Sequence, residues 1–359
     1  MFSADRVLPV PPPYGVVVLP PRRARLLSNA VHLPPQYRTM EQVRAGMVAA
    51  GSPFVPPPGT LENLTGVRGV HVRSDDVQAS DLAVAAAVKA LETAGASIGE
   101  VDLLLFASTS QDLVEPATGH IVAAKLGATC PVFDVKNACN SVLNAVETAA
   151  AFIETGRHRT VLVACGETTT LTTRWHVPDH ETFMRHLPGY TVSDAGAALL
   201  LAAGPAGPED PGVLHAVFAA DSSAWEACTV LSGGSMYPRS TDDDHYCLRL
   251  NENQLSRTGR EMARLVVEYA PEEMALVRES AFVAVHQISM PQFHEACTLL
   301  GLPRSRFLAT VDRYGNAASA SLPLQLALAQ QSDRVMPGDV VALVGLASGF
   351  SMGLVLIRL

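Results

Sequence analysis

The chain is predicted to be an α/β protein built from two similar halves. Short apolar runs of strand length lack polar alternation, as expected for strands covered on both faces. Segments rich in small apolar residues at helical spacing accompany these runs. The succession of strand and helix begins again near Val213, which indicates an internal duplication. The four clearest strand-like runs lie at residues 101–107, 160–165, 281–285 and 340–344.

Composition restricts the class of protein. The 359 residues are 48% hydrophobic and 17% charged, which supplies apolar material for a large core. The apolar runs are too short to span a bilayer, and the N-terminus lacks a basic end followed by a continuous apolar stretch. We therefore predict a cytoplasmic protein without a membrane span. A net charge of −9 argues against nucleic acid as a partner but leaves room for a local basic patch.

Three regions are predicted along the chain. Residues 1–60 are rich in proline and are interpreted as an extended arm with one helix at 39–50. The first α/β half covers residues 61–205, and it includes a helix predicted to begin at a cap formed by Ser80 or Asp81. The second half covers residues 206–359 and includes a helix predicted over 261–268.

Cys139 is the candidate nucleophile of the first half. It follows a strand predicted over 131–135 and is expected to lie in the first turn of a helix that ends near Ile153. In that position, unpaired N–H groups and the helix dipole would lower the pKa of the thiol. The alternative is that Cys139 is a small apolar residue in a core, as free cysteines often are.

A metal site or disulfide framework is not predicted. The six cysteines form no C-x-x-C pair and lie mostly in apolar surroundings, which favours reduced thiols. His176, His180 and His186 fall in a segment without core periodicity, and the other ligands of a zinc site are missing there. We interpret these histidines as solvated residues of a covering loop.

The second half supplies two further polar candidates. The strand predicted over 281–285 ends at His286, and Asn316 precedes a segment of small residues much as Asn137 precedes Cys139. These side chains fall at strand ends and helix starts, where open α/β sheets bind their ligands.

Taken in order, Cys139, His286 and Asn316 resemble the catalytic set of the thiolase superfamily, in particular its ketoacyl-ACP synthase III branch. The turn at residues 194–198 and the glycine-bearing loop at 338–349 resemble motifs of the same branch. The resemblance covers most of the chain from Leu64 onward. It implies the thiolase fold, with two duplicated α/β halves in a five-layer αβαβα arrangement, and an acyltransferase activity.

A subfamily resemblance rests on residues 77–81, residues 111–117 and Ser289. These stretches resemble the OleA-type enzymes, which condense two long-chain acyl-CoA molecules head to head. The resemblance implies that Glu115 reaches the active site of a partner subunit and acts there as a base. The alternative is a loop carboxylate beside a proline that has no catalytic task.

The resemblance also implies a role for each site residue. Cys139 would take the first acyl group as a covalent thioester, and the backbone N–H groups of Cys139 and Ser348 would form the oxyanion hole. His286 and Asn316 would donate hydrogen bonds to the carbonyl of the second thioester. If the second substrate is a malonyl thioester, loss of CO₂ generates the enolate. Otherwise Glu115 would remove the α-proton.

Three alternatives stay open at this stage: a decarboxylative condensation, transfer of the acyl group to an oxygen or nitrogen acceptor, and a non-catalytic partner subunit. Ser289 and Ser348 differ from the usual synthase III residues, and an N-terminal tryptophan-arginine clamp for CoA is not recognisable. These departures favour a specialised lipid or polyketide pathway. The expected substrates are acyl-CoA or acyl-ACP, with an acyl carrier protein as a possible partner and no cofactor. A homodimer is predicted, and a heterodimer is the alternative.

Overall fold

The computed structural model describes residues 21–251 and 270–359, together with Gly259 and Glu261. The first twenty residues of the predicted arm and the helix predicted over 261–268 therefore lie outside the described residues, apart from Glu261. The strands are β1 Arg22–His32, β2 Gln36–Thr39, β3 Gly69–Val72, β4 Leu103–Ala107, β5 Val132–Val135, β6 Thr160–Glu167, β7 Ala195–Pro205, β8 Gly212–Ala220, β9 Cys228–Thr229, β10 Arg249–Leu250, β11 Phe282–Val285, β12 Val340–Ala347 and β13 Ser351–Arg358. The helices are α1 Met40–Ala49, α2 Thr60–Thr65, α3 Ala79–Ala94, α4 Thr118–Leu126, α5 Ser141–Glu154, α6 His180–His186, α7 Pro271–Glu279, α8 Met290–Leu300, α9 Val311–Tyr314 and α10 Ser321–Gln331.

The first sheet has the strand order β1-β7-β6-β4-β5. β4 runs parallel to β5 and β6, and β7 runs antiparallel to β6 and β1. All five residues of β4 are buried, which confirms the strand predicted from that uninterrupted apolar run. β1 lies within the region interpreted as an arm, and it extends this sheet by pairing with β7. The domain boundaries at residues 60 and 205 stay predictions.

The second sheet has the order β11-β12-β13-β8. β11 and β12 are parallel, whereas β12 and β13 form an antiparallel hairpin whose last pair is Ala347 with Ser351. The predicted strand over 340–344 therefore continues three residues further than expected. The loop between β12 and β13 is correspondingly short, at residues 348–350.

Helices α5 and α10 lie between the two sheets. Their buried residues belong to one apolar core with side chains from both sheets. Helices α3 and α4 cover the outer face of the first sheet, and α7 and α8 cover the outer face of the second. These five layers confirm the predicted αβαβα arrangement. Each fully buried Leu, Val or Phe side chain stabilises it by about 1.5–3 kcal/mol. Representative core residues of the middle layer and its flanking strands are Leu105, Leu143, Val146, Leu322, Leu326 and Leu343.

The contact of α3 with the first sheet depends on glycine. A Cβ atom at Gly166 would lie 1.8 Å from the backbone oxygen of Ala79, and one at Gly196 would lie 2.0 Å from that of Leu82. Both distances are far below van der Waals contact, so a side chain at either position would force α3 away from the sheet. The close approach fixes the end of β6, where Glu167 follows Gly166.

The start of α3 differs from the sequence prediction. The N-cap residue is Gln78 rather than Ser80 or Asp81. Asp81 is the third residue of the helix, and its Oδ2 accepts a hydrogen bond of 2.8 Å from the backbone N–H of Gln78. Asp81 therefore satisfies a free N–H group from inside the helix, as the acidic residue of a capping box does.

No helix in the described ranges is both long and apolar enough to cross a membrane.

Candidate active site

A cavity of about 500 Å³ lies against the second sheet. Its walls are mainly apolar and come from the β12–β13 hairpin, helices α7 and α8, and the segment that follows α6. Among the described residues, the lining includes His286 but not Cys139, Asn316 or Glu115. A mainly apolar cavity with one imidazole on its wall suits a long apolar ligand that carries a reactive polar end. Its apolar lining includes Leu187, Val285, Leu299, Leu300, Leu346 and Met352.

His286 is held by the end of a buried strand. It directly follows β11, and its backbone N–H donates to the oxygen of Val344 at 2.9 Å. The side chain is buried, and its Nδ1 atom has no hydrogen-bond partner among the described residues. Burial lowers the pKa of His286 to about 4, because a charged imidazole would lose its hydration. The ring is therefore neutral at neutral pH, with one nitrogen as donor and the other as acceptor.

Asn316 is fixed through its backbone. Its N–H donates to the oxygen of Thr191 at 2.8 Å, and its own oxygen accepts from the N–H of Ser193 at 2.9 Å. The side-chain Oδ1 accepts from the N–H of Ala318 at 3.0 Å, which fixes the orientation of the amide. The Nδ2 group thus remains as a donor, and Thr191 connects this loop to the cavity wall.

Cys139 lies before the helix rather than in its first turn. Helix α5 begins at Ser141, with Asn140 as its N-cap residue. The turn is capped by Ser141, whose Oγ accepts from the N–H of Asn137 at 2.9 Å and donates to the oxygen of Ala138 at 2.6 Å. Ala138 adopts a positive φ of 45°, a left-handed conformation that costs a non-glycine residue roughly 1–2 kcal/mol. The strained turn sets the direction of Cys139.

The pKa of the Cys139 thiol is raised, whereas the sequence predicted that it would be lowered. Burial raises it, and the nearby Glu167 and Cys228 raise it further. These effects outweigh the helix dipole, which the sequence argument had expected to dominate. In the free protein Cys139 is therefore a thiol at neutral pH, so nucleophilic attack requires a group that accepts its proton.

Glu167 is a site residue that sequence reasoning missed. It is fully buried, and burial raises the pKa of its carboxyl. The carboxylate accepts from the N–H groups of Thr109, Ser110 and Ser319 at 2.9, 3.2 and 3.2 Å. Ser319 in turn donates from Oγ to the oxygen of Ala138 at 2.7 Å. Ser319 therefore joins the Asn316 loop to the Cys139 turn across the two halves, and Glu167 holds the backbone of Ser319. The signal available was an acidic residue at the end of a mainly apolar strand.

Glu115 and Ser348 are not brought to the cavity within this chain. Glu115 is exposed, and the preceding Leu113 and Val114 are 52% and 75% exposed. Ser348 is partly buried in the short loop between β12 and β13. The role of Glu115 as a base and that of the Ser348 N–H in the oxyanion hole stay predictions.

The covering segment differs from the interpretation of solvated histidines. It contains helix α6, and His186 at its end is fully buried. The Nε2 atom of His186 lies 2.7 Å from Oδ1 of Asp244, and its Nδ1 lies 2.8 Å from the oxygen of Leu248. His186 therefore ties α6 to the segment before β10. His176 and His180 are exposed, as predicted.

The lowered pKa of His286 predicts a pH-dependent stability. The unfolded ring binds a proton near pH 6.5, whereas the folded ring binds it only near pH 4. Between these values the unfolded state binds more protons, so the free energy of unfolding falls as the pH falls from 6.5 to 4. The pKa difference corresponds to about 3 kcal/mol. Chemical denaturation of the wild type and of His286→Gln should show their stability difference changing over this range. A difference that is independent of pH would contradict the buried neutral ring.

Comparison with known families identifies the family of the chain. Residues 133–222 match the family model of 3-oxoacyl-[acyl-carrier-protein (ACP)] synthase III, and residues 276–359 match the model of its C-terminal part. A beta-ketoacyl-[acyl-carrier-protein] synthase III of Xanthomonas campestris pv. campestris is 32% identical over 311 residues, which cover 83% of this chain and 89% of that protein.

Solved structures of OleA from Xanthomonas campestris share the fold. A cerulenin-bound form has a TM-score of 0.82 at 26% identity and covers 94% of this chain and 97% of that one. A form with bound lauric acid and lauroyl-CoA has a TM-score of 0.82 at 25% identity, with coverages of 94% and 99%. Other OleA structures carry replacements of a cysteine, a glutamate or a histidine. The chain thus adopts the thiolase fold and belongs to the beta-ketoacyl-[acyl-carrier-protein] synthase III family of condensing acyltransferases.

Proposed function

We propose that this chain joins two acyl thioesters head to head by Claisen condensation, with the first acyl group held on Cys139. The observation that carries the proposal is the apolar cavity of about 500 Å³ with the neutral His286 on its wall. A long acyl chain would bury its apolar surface in such a cavity, at about 25 cal/mol for each Å² removed from water. The similar OleA structure with bound lauric acid and lauroyl-CoA supports a fatty acyl thioester as substrate.

In the first step the Cys139 sulfur attacks the thioester carbonyl. A new sulfur–carbon bond forms, the bond to the CoA sulfur breaks, and the proton of the thiol finally rests on the released CoA. Because Cys139 is a thiol in the free protein, the neutral His286 is the candidate acceptor of that proton during attack. The N–H groups of Cys139 and Ser348 would stabilise the tetrahedral oxyanion.

In the second step an enolate of the second thioester attacks the acyl-enzyme. The Nδ2 group of Asn316 and an N–H of His286 would donate to the enolate oxygen, which places two neutral donors where negative charge develops. A carbon–carbon bond forms, the bond between the acyl carbon and the Cys139 sulfur breaks, and the β-keto product is released. The α-proton lost by the second thioester finally rests on the Cys139 sulfur, which restores the thiol. The lowered pKa of His286 favours its role as proton acceptor in the first step, because a charged ring has no acceptor nitrogen left.

Without decarboxylation, a base must remove the α-proton, and we assign that base to Glu115 of a partner subunit. The exposure of Leu113 and Val114 supports a loop that becomes buried against another chain. The neighbouring β5 is an edge strand of the first sheet, and its Phe133 is 39% exposed. An exposed edge strand beside exposed apolar side chains is a surface suited to pairing with a second copy.

Replacing the base tests this assignment. Glu115→Gln is expected to gain one acyl group from lauroyl-CoA as the wild type does, yet to release at least about 100-fold less β-keto product, because the α-proton lacks an acceptor. Intact-protein mass spectrometry measures the acyl group, and analysis of extracted products measures condensation. Glu92→Gln, at another exposed glutamate, is the matched control and should behave like the wild type.

A mixed dimer shows from which chain Glu115 acts. Hybrid dimers of Cys139→Ala and Glu115→Gln chains, isolated with two different affinity tags, contain one site with both residues if Glu115 crosses the interface. Such hybrids should regain about half of the wild-type rate, since one of two equivalent sites is complete. Inactive hybrids would show that Glu115 acts within its own chain.

A malonyl thioester substrate distinguishes decarboxylative condensation from the proposed head-to-head condensation. If the wild type releases a product only with malonyl-CoA or malonyl-ACP, and Glu115→Gln is equally active, the enolate arises by loss of CO₂ and the head-to-head proposal is wrong. A stable ester or amide product would instead support transfer to an oxygen or nitrogen acceptor. A cytoplasmic location and a carrier protein as donor stay predictions.

A further inference from the structure

The turn that carries Cys139 is attached to the hairpin that carries Ser348 by a buried side chain, Asn140. This residue is fully buried and has no contact with solvent. As the N-cap residue of α5 it would ordinarily accept a hydrogen bond from the first turn of its own helix, but its side chain makes no such bond. Ser141 caps the turn instead, which leaves the Asn140 amide available for another partner.

That partner is the start of β13. Nδ2 of Asn140 donates to the backbone oxygen of Ser351 at 3.2 Å and to its Oγ at 3.0 Å. Since a backbone oxygen only accepts, the nitrogen of the amide must face Ser351, and the orientation of the side chain is settled. Ser351 pairs with Ala347 at the base of the β12–β13 hairpin, directly before Ser348.

The network continues on the other side of Cys139. Oγ of Ser351 donates to Oδ1 of Asn137 at 3.5 Å, and Nδ2 of Asn137 donates to Oδ1 of Asn144 at 2.7 Å. The two residues that flank Ala138 and Cys139 are therefore both connected to Ser351. Buried polar networks of this kind keep a fixed arrangement, because each broken bond leaves an unpaired buried group.

Strand β12, which pairs with β13, leaves room for the Asn140 side chain. A Cβ atom at Gly345 would lie 2.0 Å from Oδ1 of Asn140, so only glycine fits there while Asn140 keeps its position. Gly345 also lines the substrate cavity. Asn140 is thus enclosed by both strands of the hairpin, and its Oδ1 has no hydrogen-bond partner among the described residues.

We infer that Asn140 is a positioning residue for catalysis: through Ser351 it sets the separation between the backbone N–H groups of Cys139 and Ser348. The inference rests on the proposed oxyanion hole. In that hole, Asn140 is the residue that keeps the two N–H donors at a constant distance from each other. The donors come from different halves of the fold, and backbone hydrogen bonds within either half do not fix the distance between them. A shift of about 1 Å between such donors and a developing oxyanion reduces rates by about 100-fold.

Asn140→Ala is the direct test. We expect the saturating rate of acylation of Cys139 by lauroyl-CoA to fall about 10- to 100-fold, with little change in the concentration that half-saturates it. Alkylation of Cys139 by iodoacetamide passes through no oxyanion, so its rate should stay within about twofold of the wild type. Rapid-quench mass spectrometry measures both reactions.

Asn29→Ala is the matched control. Asn29 also donates from Nδ2 to a backbone oxygen, that of Pro323 at 2.9 Å, and its Oδ1 is likewise buried without a described partner. This hydrogen bond joins β1 to α10 and involves neither the Cys139 turn nor the hairpin. Both replacements should lower the melting temperature, but only Asn140→Ala should slow acylation. Ser351→Ala keeps the backbone acceptor and should slow acylation less, by about threefold, and it serves if Asn140→Ala does not fold.

The outcomes separate this inference from the proposed function. If the wild type acylates and Asn140→Ala and Ser351→Ala slow acylation no more than Asn29→Ala does, the positioning role is wrong while the acyltransferase proposal stands. If alkylation slows as much as acylation, Asn140 acts on the thiol and not on the oxyanion hole, and the inference is also wrong. If the wild type itself gains no acyl group from lauroyl-CoA or lauroyl-ACP, both proposals are overturned.

Discussion

Cys139→Ala is expected to gain no acyl group from lauroyl-CoA and to lose β-keto product formation by about 10⁴-fold or more. Without the sulfur, the first thioester has no covalent acceptor, and the condensation would have to proceed in one step between two free thioesters. The replacement removes one sulfur atom from a partly buried site, so the fold should remain intact. Intact-protein mass spectrometry detects the acyl group directly.

Cys130→Ala provides the control for this variant. Cys130 is also a free and partly buried cysteine, but it lies just before β5 on the outer side of the first sheet. It should acylate and turn over as the wild type does. An acyl group that still appears on Cys139→Ala would show that another residue is the nucleophile, and peptide mapping would then locate it among the remaining thiols.

Asn316→Ala is expected to form the acyl-enzyme but to condense about 100- to 1,000-fold more slowly, because one donor to the enolate oxygen is lost. Its backbone bonds to Thr191 and Ser193 do not involve the side chain, so only the N–H of Ala318 loses its acceptor. A preformed acyl-enzyme, supplied with a second lauroyl-CoA, isolates the condensation step for measurement. Asn29→Ala again controls for the loss of a partly buried, hydrogen-bonded amide.

The same experiment checks the role of His286. Since its pKa lies near 4, the condensation rate should show no histidine titration between about pH 5.5 and 8. His286→Ala should slow both steps, whereas Asn316→Ala should slow only the second. Equal effects of Asn316→Ala on acylation and condensation would show that Asn316 supports the fold of the loop and does not stabilise the enolate.

The main elements followed from local patterns in the sequence. β4 is an uninterrupted apolar run and β6 is apolar over residues 161–165, as expected for strands buried on both faces. Cys139, His286 and Asn316 were predicted to lie at strand ends and helix starts, where open α/β sheets bind their ligands. The cap of α3 was placed two or three residues too late, because Asp81 accepts from the N–H of Gln78 from inside the helix.

The properties of the site depended on how the two halves pack. The sequence determined that a thiol, an imidazole and an amide lie at comparable places in duplicated halves, since side-chain type and strand pattern are local. Only the tertiary structure decided that the Cys139 pKa rises, because burial by distant segments and the carboxylate of Glu167 outweigh a helix dipole. It likewise decided that Asn140 turns away from its own helix to Ser351, a partner more than two hundred residues away in the chain. Desolvation and hydrogen bonds between residues far apart in the sequence depend on distances that no local pattern encodes.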